Sequence, residues 1–266
     1  MLYDKGEKCM KIVFLGTSDS QGVPRLYCQC PVCKDNREKN IRNRPSLLLI
    51  SDTDERLIID ISPEFKHQYF DYSLFNDITP DAVITHAHND HIGGFVDYAD
   101  MNYWNKKCAN VISTQEVIDE IRMRYPFVEK RKCINFISTE SWLFSNLKIN
   151  LHRINHGFNG YSNGIIFETQ NKKWGYFSDC FNLTSEQLDL LLGLDLLIIG
   201  TCYWKENAPS YRRSLYDVQE AIEIKQKYNI KQMILTHLSH EIDYYHHQML
   251  PENSIELAYD GMLIEI

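Results

Sequence analysis

The chain is a succession of short apolar runs, rich in Val, Ile, Leu and aromatic residues, separated by amphipathic stretches. "KIVFLG" (11–16), "SLLLIS" (46–51), "RLIIDI" (56–61), "DAVITH" (81–86), "LKINLHRI" (147–154), "NGIIFET" (163–169), "KWGYFSD" (173–179), "LLIIGT" (196–201), "QMILTH" (232–237) and "GMLIEI" (261–266) have the length and composition of strands. Helices are expected from His91 to Lys106 and over 114–125, 184–193 and 214–228. In the last of these, Leu215, Val218 and Ile222 recur at helical spacing, with Asp217, Glu220 and Glu223 off that stripe. Helices outside strands predict an α/β layered fold.

Polar residues mark where these runs stop. "DAVIT" leads into His86, "NLHRIN" into His156, "KWGYFS" into Asp179 and "KQMILT" into His237. Strand ends at one edge of a sheet bring such residues together from distant parts of a chain. The first of them opens "HAHNDH", which places His86, His88, Asp90 and His91 within six residues of a chain that has ten histidines in all.

Imidazole and carboxylate are ligands for zinc and similar divalent ions, and so tight a turn cannot direct four of them at one tetrahedral ion. Two ions about 3.5–4 Å apart, sharing a carboxylate, are the natural solution. Gly93 and Gly94 allow close backbone approach behind the cluster.

"THAHNDHIGG", followed by His156, Asp179 and His237 in order, resembles the signature of the metallo-β-lactamase-fold hydrolases. The resemblance implies a four-layer αββα sandwich with two similar halves in one domain. It also implies that His86, His88 and His156 hold one ion, that Asp90, His91 and His237 hold the other, and that Asp179 bridges them. Asp60, after "RLII", corresponds to an aspartate that supports the metal loops through hydrogen bonds. Cys180 stands where lactamases use a cysteine ligand, but its neighbour Asp179 is expected to point the other way, toward the metals.

A second cluster, "CQCPVC", sets Cys28, Cys30 and Cys33 as three thiolates for a structural zinc, and "THLSHE" offers His240 as the fourth ligand. With "GTSDSQGVP" before the knuckle and "LTHLSH" near the C-terminus, the chain resembles the PhnP-like phosphodiesterases from Lys11 to its end. Cys9, Cys108, Cys133, Cys180 and Cys202 are scattered and read as packing residues.

Composition narrows the partners. The 36 acidic residues against 28 basic ones give a net charge of -8, which argues against a general nucleic-acid or anionic-membrane surface. No run approaches the roughly 18 apolar residues needed to span a bilayer, so a cytoplasmic protein is expected, without a membrane partner. Residues 1–9 read as a flexible extension and 10–266 as a single domain; a homodimer is left open.

The function expected is hydrolysis of a small cyclic or nucleotide-like phosphoester by a dinuclear site of Zn2+ or Mn2+, with Fe also admissible. The ions activate water, and Asp90 and Asp179 are the catalytic carboxylates. Arg212 and Arg213 are candidate phosphate contacts, with Tyr203 and Lys205 beside them. PhnP-like enzymes have a histidine after the strand corresponding to "LLIIGT", but this chain has none between His156 and His237, which leaves the general acid unassigned. The alternatives are a glyoxalase-type thioesterase, a ribonuclease Z-like nuclease, and a non-catalytic ligand-binding relative of the quinone-cofactor biosynthesis protein.

Overall fold

The computed structural model of the chain describes residues 10–72, 79–247, 250 and 254–266, so the expected extension 1–9, with Cys9, lies outside the described residues. Among the described residues, fourteen strands form two sheets. They are β1 (Lys11–Gly16), β2 (Ser46–Ile50), β3 (Arg56–Ile59), β4 (Asp81–Val83), β5 (Ala109–Ser113), β6 (Ile134–Ser138), β7 (Ser141–Phe144), β8 (Leu147–Asn155), β9 (Tyr161–Glu168), β10 (Lys173–Phe177), β11 (Leu196–Gly200), β12 (Gln232–Thr236), β13 (Ile255–Leu257) and β14 (Leu263–Glu265). The helices are α1 (Phe65–Asp71), α2 (Asn89–Ile92), α3 (Phe95–Trp104), α4 (Gln115–Arg124), α5 (Val128–Arg131), α6 (Ser185–Asp189), α7 (Val218–Lys227) and α8 (Tyr244–His247).

One sheet runs β14-β1-β2-β3-β4-β5-β6 and the other β7-β8-β9-β10-β11-β12-β13, read from the opposite end. In each, the first three pairings are antiparallel and the last three parallel. This is the repetition of halves that the resemblance implied. Strand order follows chain order almost throughout, and β14 alone returns to the first sheet.

Alternation along each strand builds the layers. Ile12, Phe14, Leu47, Leu49, Ile59, Phe167, Trp174, Tyr176 and Ile198 meet between the sheets, where the Trp174 ring stacks on Phe167 with centroids 3.7 Å apart. The intervening residues Val13, Leu15, Leu48 and Ile58 pack outward on Phe95, Tyr98, Val117 and Ile121 of α3 and α4. On the other sheet, Ile166, Leu197, Ile199 and Leu235 pack on Val218, Ala221 and Ile224 of α7. Both faces of the central strands are covered, which is why β2 after Ser46 and β11 throughout are apolar. The αββα sandwich follows.

All ten expected strands form, and four more are present. β5, β6, β7 and β13 are short and carry Asn, Ser or Glu, and three of them are sheet edges, which need only one apolar face. The helices need more correction. The stretch after His91 breaks into α2 and α3, and α6 stops at Asp189 although the apolar pattern continues. α7 starts at Val218, because Asp217 caps it: its carboxylate accepts from Glu220 N (2.9 Å) while Glu220 accepts from Asp217 N (2.9 Å). Leu215 therefore precedes the helix, and its buried stripe is Val218, Ala221 and Ile224, with Ile222 only half-buried.

The carboxyl of Asp260, a half-buried residue, links two loops near the site. It accepts from Thr17 Oγ1 (2.7 Å) and from Asn43 N (2.6 Å), and burial pushes its pKa up to about 7. The folded value lies above that of the unfolded chain, so the native state holds the extra proton. The associated stabilisation is present below about pH 4 and is lost as pH rises through 7. Between pH 5 and 8 the wild-type protein should lose roughly 2–3 kcal/mol that Asp260→Asn does not lose, read from urea midpoints at the two pH values; equal losses would contradict the assignment.

Candidate metal centre

The C-terminal ends of β4, β8, β10 and β12 face one edge of the sandwich, the usual place for a site in sheets with parallel strands. His156 and His237 follow directly on β8 and β12, whereas Asp179 comes two residues after β10 and His86 three after β4. The two sheets are joined at this edge by Asn163 at the start of β9, whose N and Nδ2 both donate to Thr85 O (3.1 and 2.7 Å). Past His86 the chain turns into α2, which carries Asp90 and His91 in its first turn. Gly94 lets that turn pack down, since a Cβ there would stand 2.2 Å from Ser62 O; one at Gly93 would stand 2.5 Å from Pro63 Cγ. The expected close approach is thus real at both glycines.

Two adjacent ligand groups result. His86, His88 and His156 form one; Asp90, His91, Asp179 and His237 form the other, and within each group the ligand atoms lie within 4.8 Å of one another. Asp179 sits between the two, with Oδ1 3.4 Å from His156 Nε2 and 3.3 Å from His237 Nε2, and Oδ2 3.0 Å from His91 Nε2. Asp90 Oδ2 is 3.2 Å from His91 Nε2 and 3.4 Å from His237 Nε2.

The outer nitrogens fix the inner ones. Thr85 Oγ1 has one proton, which goes to Asp60 (2.8 Å to Oδ2), so it accepts from His86 Nδ1 (3.1 Å) and leaves the His86 Nε2 lone pair facing inward. His91 Nδ1 donates to Asp60 Oδ2 (2.6 Å) and His156 Nδ1 to the Ser214 carbonyl (2.8 Å), with the same consequence. His237 Nδ1 faces Cys202 Sγ at 3.7 Å. Asp60, fully buried and with φ 62°, thus supports both loops; His237 has φ 59°. Such left-handed residues cost about 1–3 kcal/mol each and persist where the surroundings impose them.

The arrangement fits a pair of cations. His91 Nε2, His237 Nε2 and Asp179 Oδ2 are buried without a hydrogen-bond partner among the described residues, and His86 Nε2 faces His88 Nδ1 at 2.8 Å. Burial drives His86, His88 and His156 toward their neutral form. Burial also opposes charge on His91 and His237, but Asp179, aided at both rings by Asp90, more than offsets it and raises their proton affinity. Asp179 remains ionised against burial because His237, His91 and His156 surround it. The second group holds positive charge, and a divalent ion competes for that place.

The knuckle also assembles. Cys28, Cys30 and Cys33 place Sγ 3.2, 3.4 and 3.5 Å from His240 Nδ1. Burial, with crowding by the other two sulfurs, pushes the Cys33 thiol up to about 11, a cost that a soft cation relieves. Cys180 is buried in the outer core of the second sheet, away from the ligand groups. Among the cysteines expected only to pack, Cys108 is exposed and Cys202 stands at the site; its contact with His237 has no local sequence signal.

A cleft of about 320 Å³ opens over the ligands and is lined by Arg25, Tyr203, Arg212 and Arg213 as well as by His88, Asp90, Asp179 and His237. Arg212 is exposed and forms no ion pair among the described residues. The structure places two other expected substrate contacts differently. The Arg213 guanidinium is ion-paired to Glu220 and lies 4.6 Å over the Phe181 ring, so its fork is already occupied. Lys205 is exposed and does not line the cleft.

Residues 55–238 match the family described as beta-lactamase superfamily domain, and the chain belongs to that superfamily. It is similar to an octanoyltransferase of Porphyromonas gingivalis (strain ATCC BAA-308 / W83), 30% identical over 269 residues, covering 95% of this chain and 51% of that protein. The chain thus spans about half the length of that relative. Among solved structures, a diphosphatase from the PhnP family superposes with a TM-score of 0.83 at 22% identity, covering 97% of this chain and 98% of that one. Zn2+-bound PqqB from Methylobacterium extorquens superposes with a TM-score of 0.81 at 14% identity, covering 96% and 100%. Both likenesses establish the fold. Among the described residues, no helix is long and apolar enough to cross a membrane.

Elemental analysis should find three ions per chain, falling by two in His88→Ala and by one in Cys30→Ser; one ion or none in the wild type would contradict the assignment. Asp60→Asn, which removes charge behind His91, should weaken retention of the paired ions about 10–100-fold in a chelator competition.

Proposed function

We propose that the protein is a hydrolase of small phosphodiesters that depends on two divalent cations. The observation that carries this reading is Asp179, a hard oxygen ligand placed between two nitrogen-rich groups at the floor of a cleft whose walls carry Arg25 and Arg212. His86, His88 and His156 would hold one ion and Asp90, His91 and His237 the other, with Asp179 between the two groups. When bound, such a pair lowers the pKa of water to near neutrality and polarises a phosphoryl oxygen. Zinc, manganese and iron all suit this donor set.

The chain's own residues do the rest. Asp60, Thr85 and the Ser214 carbonyl hold three imidazoles in one tautomer, so ligand geometry is set before substrate arrives. Asp90 and Asp179 accept hydrogen bonds from the attacking water and orient it. Arg212, which lines the cleft, supplies positive charge for the phosphoryl oxygens. Tyr203 supplies the proton that the absent histidine would have given: it lines the cleft, and burial raises its pKa, which keeps the phenol protonated at neutral pH. The cleft is small and the net charge is -8, which favours a compact substrate over a nucleic acid.

A second reading is hydrolysis of an acyl ester or thioester by the same ligands. It is favoured by the likeness to part of an octanoyltransferase over 95% of the chain.

Assaying metal-loaded protein against bis-p-nitrophenyl phosphate, cyclic nucleotides and an S-octanoyl thioester separates the two. The phosphodiester reading predicts turnover of the first two, reduced about 100-fold or more by Asp179→Asn and several-fold by Tyr203→Phe. Turnover of the thioester alone would replace it with the acyl reading.

A further inference from the structure

We propose that Arg25 is the side chain that grips the anionic group of the substrate, and that the Cys28, Cys30, Cys33 and His240 cluster holds it in position for that task. The inference rests on the phosphoester reading of the cleft.

Arg25 joins the two metal-ligating regions of the molecule. It lines the cleft together with Asp90 and His237, and its side chain is only 17% exposed. Its peptide N donates to Cys33 Sγ (3.3 Å), its carbonyl accepts from Cys28 N (3.2 Å), and its Nη1 stands 3.0 Å from His240 Nε2. On the other side, Nη2 is ion-paired to Asp19. Asp19 is itself fixed, because its carboxylate accepts from Gln21 N (3.1 Å) and its own N donates to Leu238 O (3.3 Å), one residue past His237. The Arg25 backbone is thus fixed by the cysteine knuckle, and its guanidinium by Asp19, which is tied to the segment that carries a ligand of the dinuclear site.

This clamp leaves donors free. A guanidinium has five N–H groups; two point at Asp19 and His240, and Nε is buried without a partner among the described residues. With an ion on His240 Nδ1, the ring proton sits on Nε2, which then offers Arg25 no acceptor. Its acceptors are Asp19 and whatever anion occupies the cleft. A guanidinium is cationic throughout the ordinary pH range, and the Asp19 carboxylate beside it balances part of that charge. A partly buried, pre-positioned planar fork binds a phosphoryl group with less loss of side-chain entropy than an exposed one. Arg212 is exposed, and the Arg213 fork belongs to Glu220.

The test uses the full chain loaded with zinc, with inorganic phosphate as the calorimetric probe, metal content by elemental analysis, and kcat and KM on bis-p-nitrophenyl phosphate. Arg25→Ala should retain all three ions, weaken phosphate binding about tenfold or more, and raise KM by a similar factor with a smaller change in kcat. Arg25→Lys should recover only part of the affinity, because it restores charge without the fork. Cys30→Ser should lose one ion and weaken phosphate binding as Arg25→Ala does; should it not fold, the Arg25 variants decide alone. Wild-type affinity for phosphate in Arg25→Ala, or no phosphate binding by the wild type, would overturn the proposal. Phosphate binding that depends on Arg25 but no phosphodiester turnover would sink the phosphodiesterase reading and leave the anion grip standing.

Discussion

Charge balance in a dry place is the constraint on which this molecule turns. Five imidazoles and two carboxylates are gathered behind the ends of buried strands, with Asp60 fully buried at their back. Without cations, Asp179 and Asp90 raise the proton affinity of His91 and His237, and several of the inner atoms have no partner among the described residues. Such a set is tolerated only if positive charge belongs there. The outer hydrogen bonds of His86, His91 and His156 aim three lone pairs inward in advance, so the polypeptide has already met part of the cost of organising the site.

The sandwich makes this gathering possible. Two sheets with the same sequence of pairings put the ends of β4, β8, β10 and β12 at one edge, and the Asn163 hydrogen bonds to Thr85 O lock the sheets together there. The buried Arg42 serves the neighbouring loop. Its Nη2 donates to Ser239 O (2.9 Å) and Ile242 O (3.0 Å), holding the segment from which His237 faces one metal group and His240 the other. One short loop therefore serves two candidate metal environments, and Asp19 and Arg25 connect them a second time through the cleft.

The candidate ligand groups were legible because their chemistry is concentrated in residue type. Three histidines in a six-residue turn and three cysteines in a six-residue knuckle have few other uses, and apolar runs that stop at His156, Asp179 and His237 mark strand ends. The central strands were legible too, since burial on both faces leaves them almost wholly apolar. Edge strands β6, β7 and β13 were not, because one solvated face dilutes the pattern with polar residues. The start of α7 was misplaced because Leu215 continues the helical spacing by accident, and the Asp217–Glu220 capping box sets the boundary instead. Substrate contacts were the least legible part. Arg212 and Arg213 are adjacent in sequence, yet only the structure shows that Glu220 occupies one of them. Cys202 and the Ser214 carbonyl reach the site by tertiary placement, which no local spacing encodes.

The central claim is that two ions share Asp179 at the edge where the sheets meet. Anomalous diffraction from crystals of the protein purified without chelator addresses it most directly. The account predicts two peaks about 3.5–4 Å apart, one on either side of the Asp179 carboxylate, and a third within the cysteine knuckle. A single peak among the histidines, or none bounded by Asp179, would contradict it.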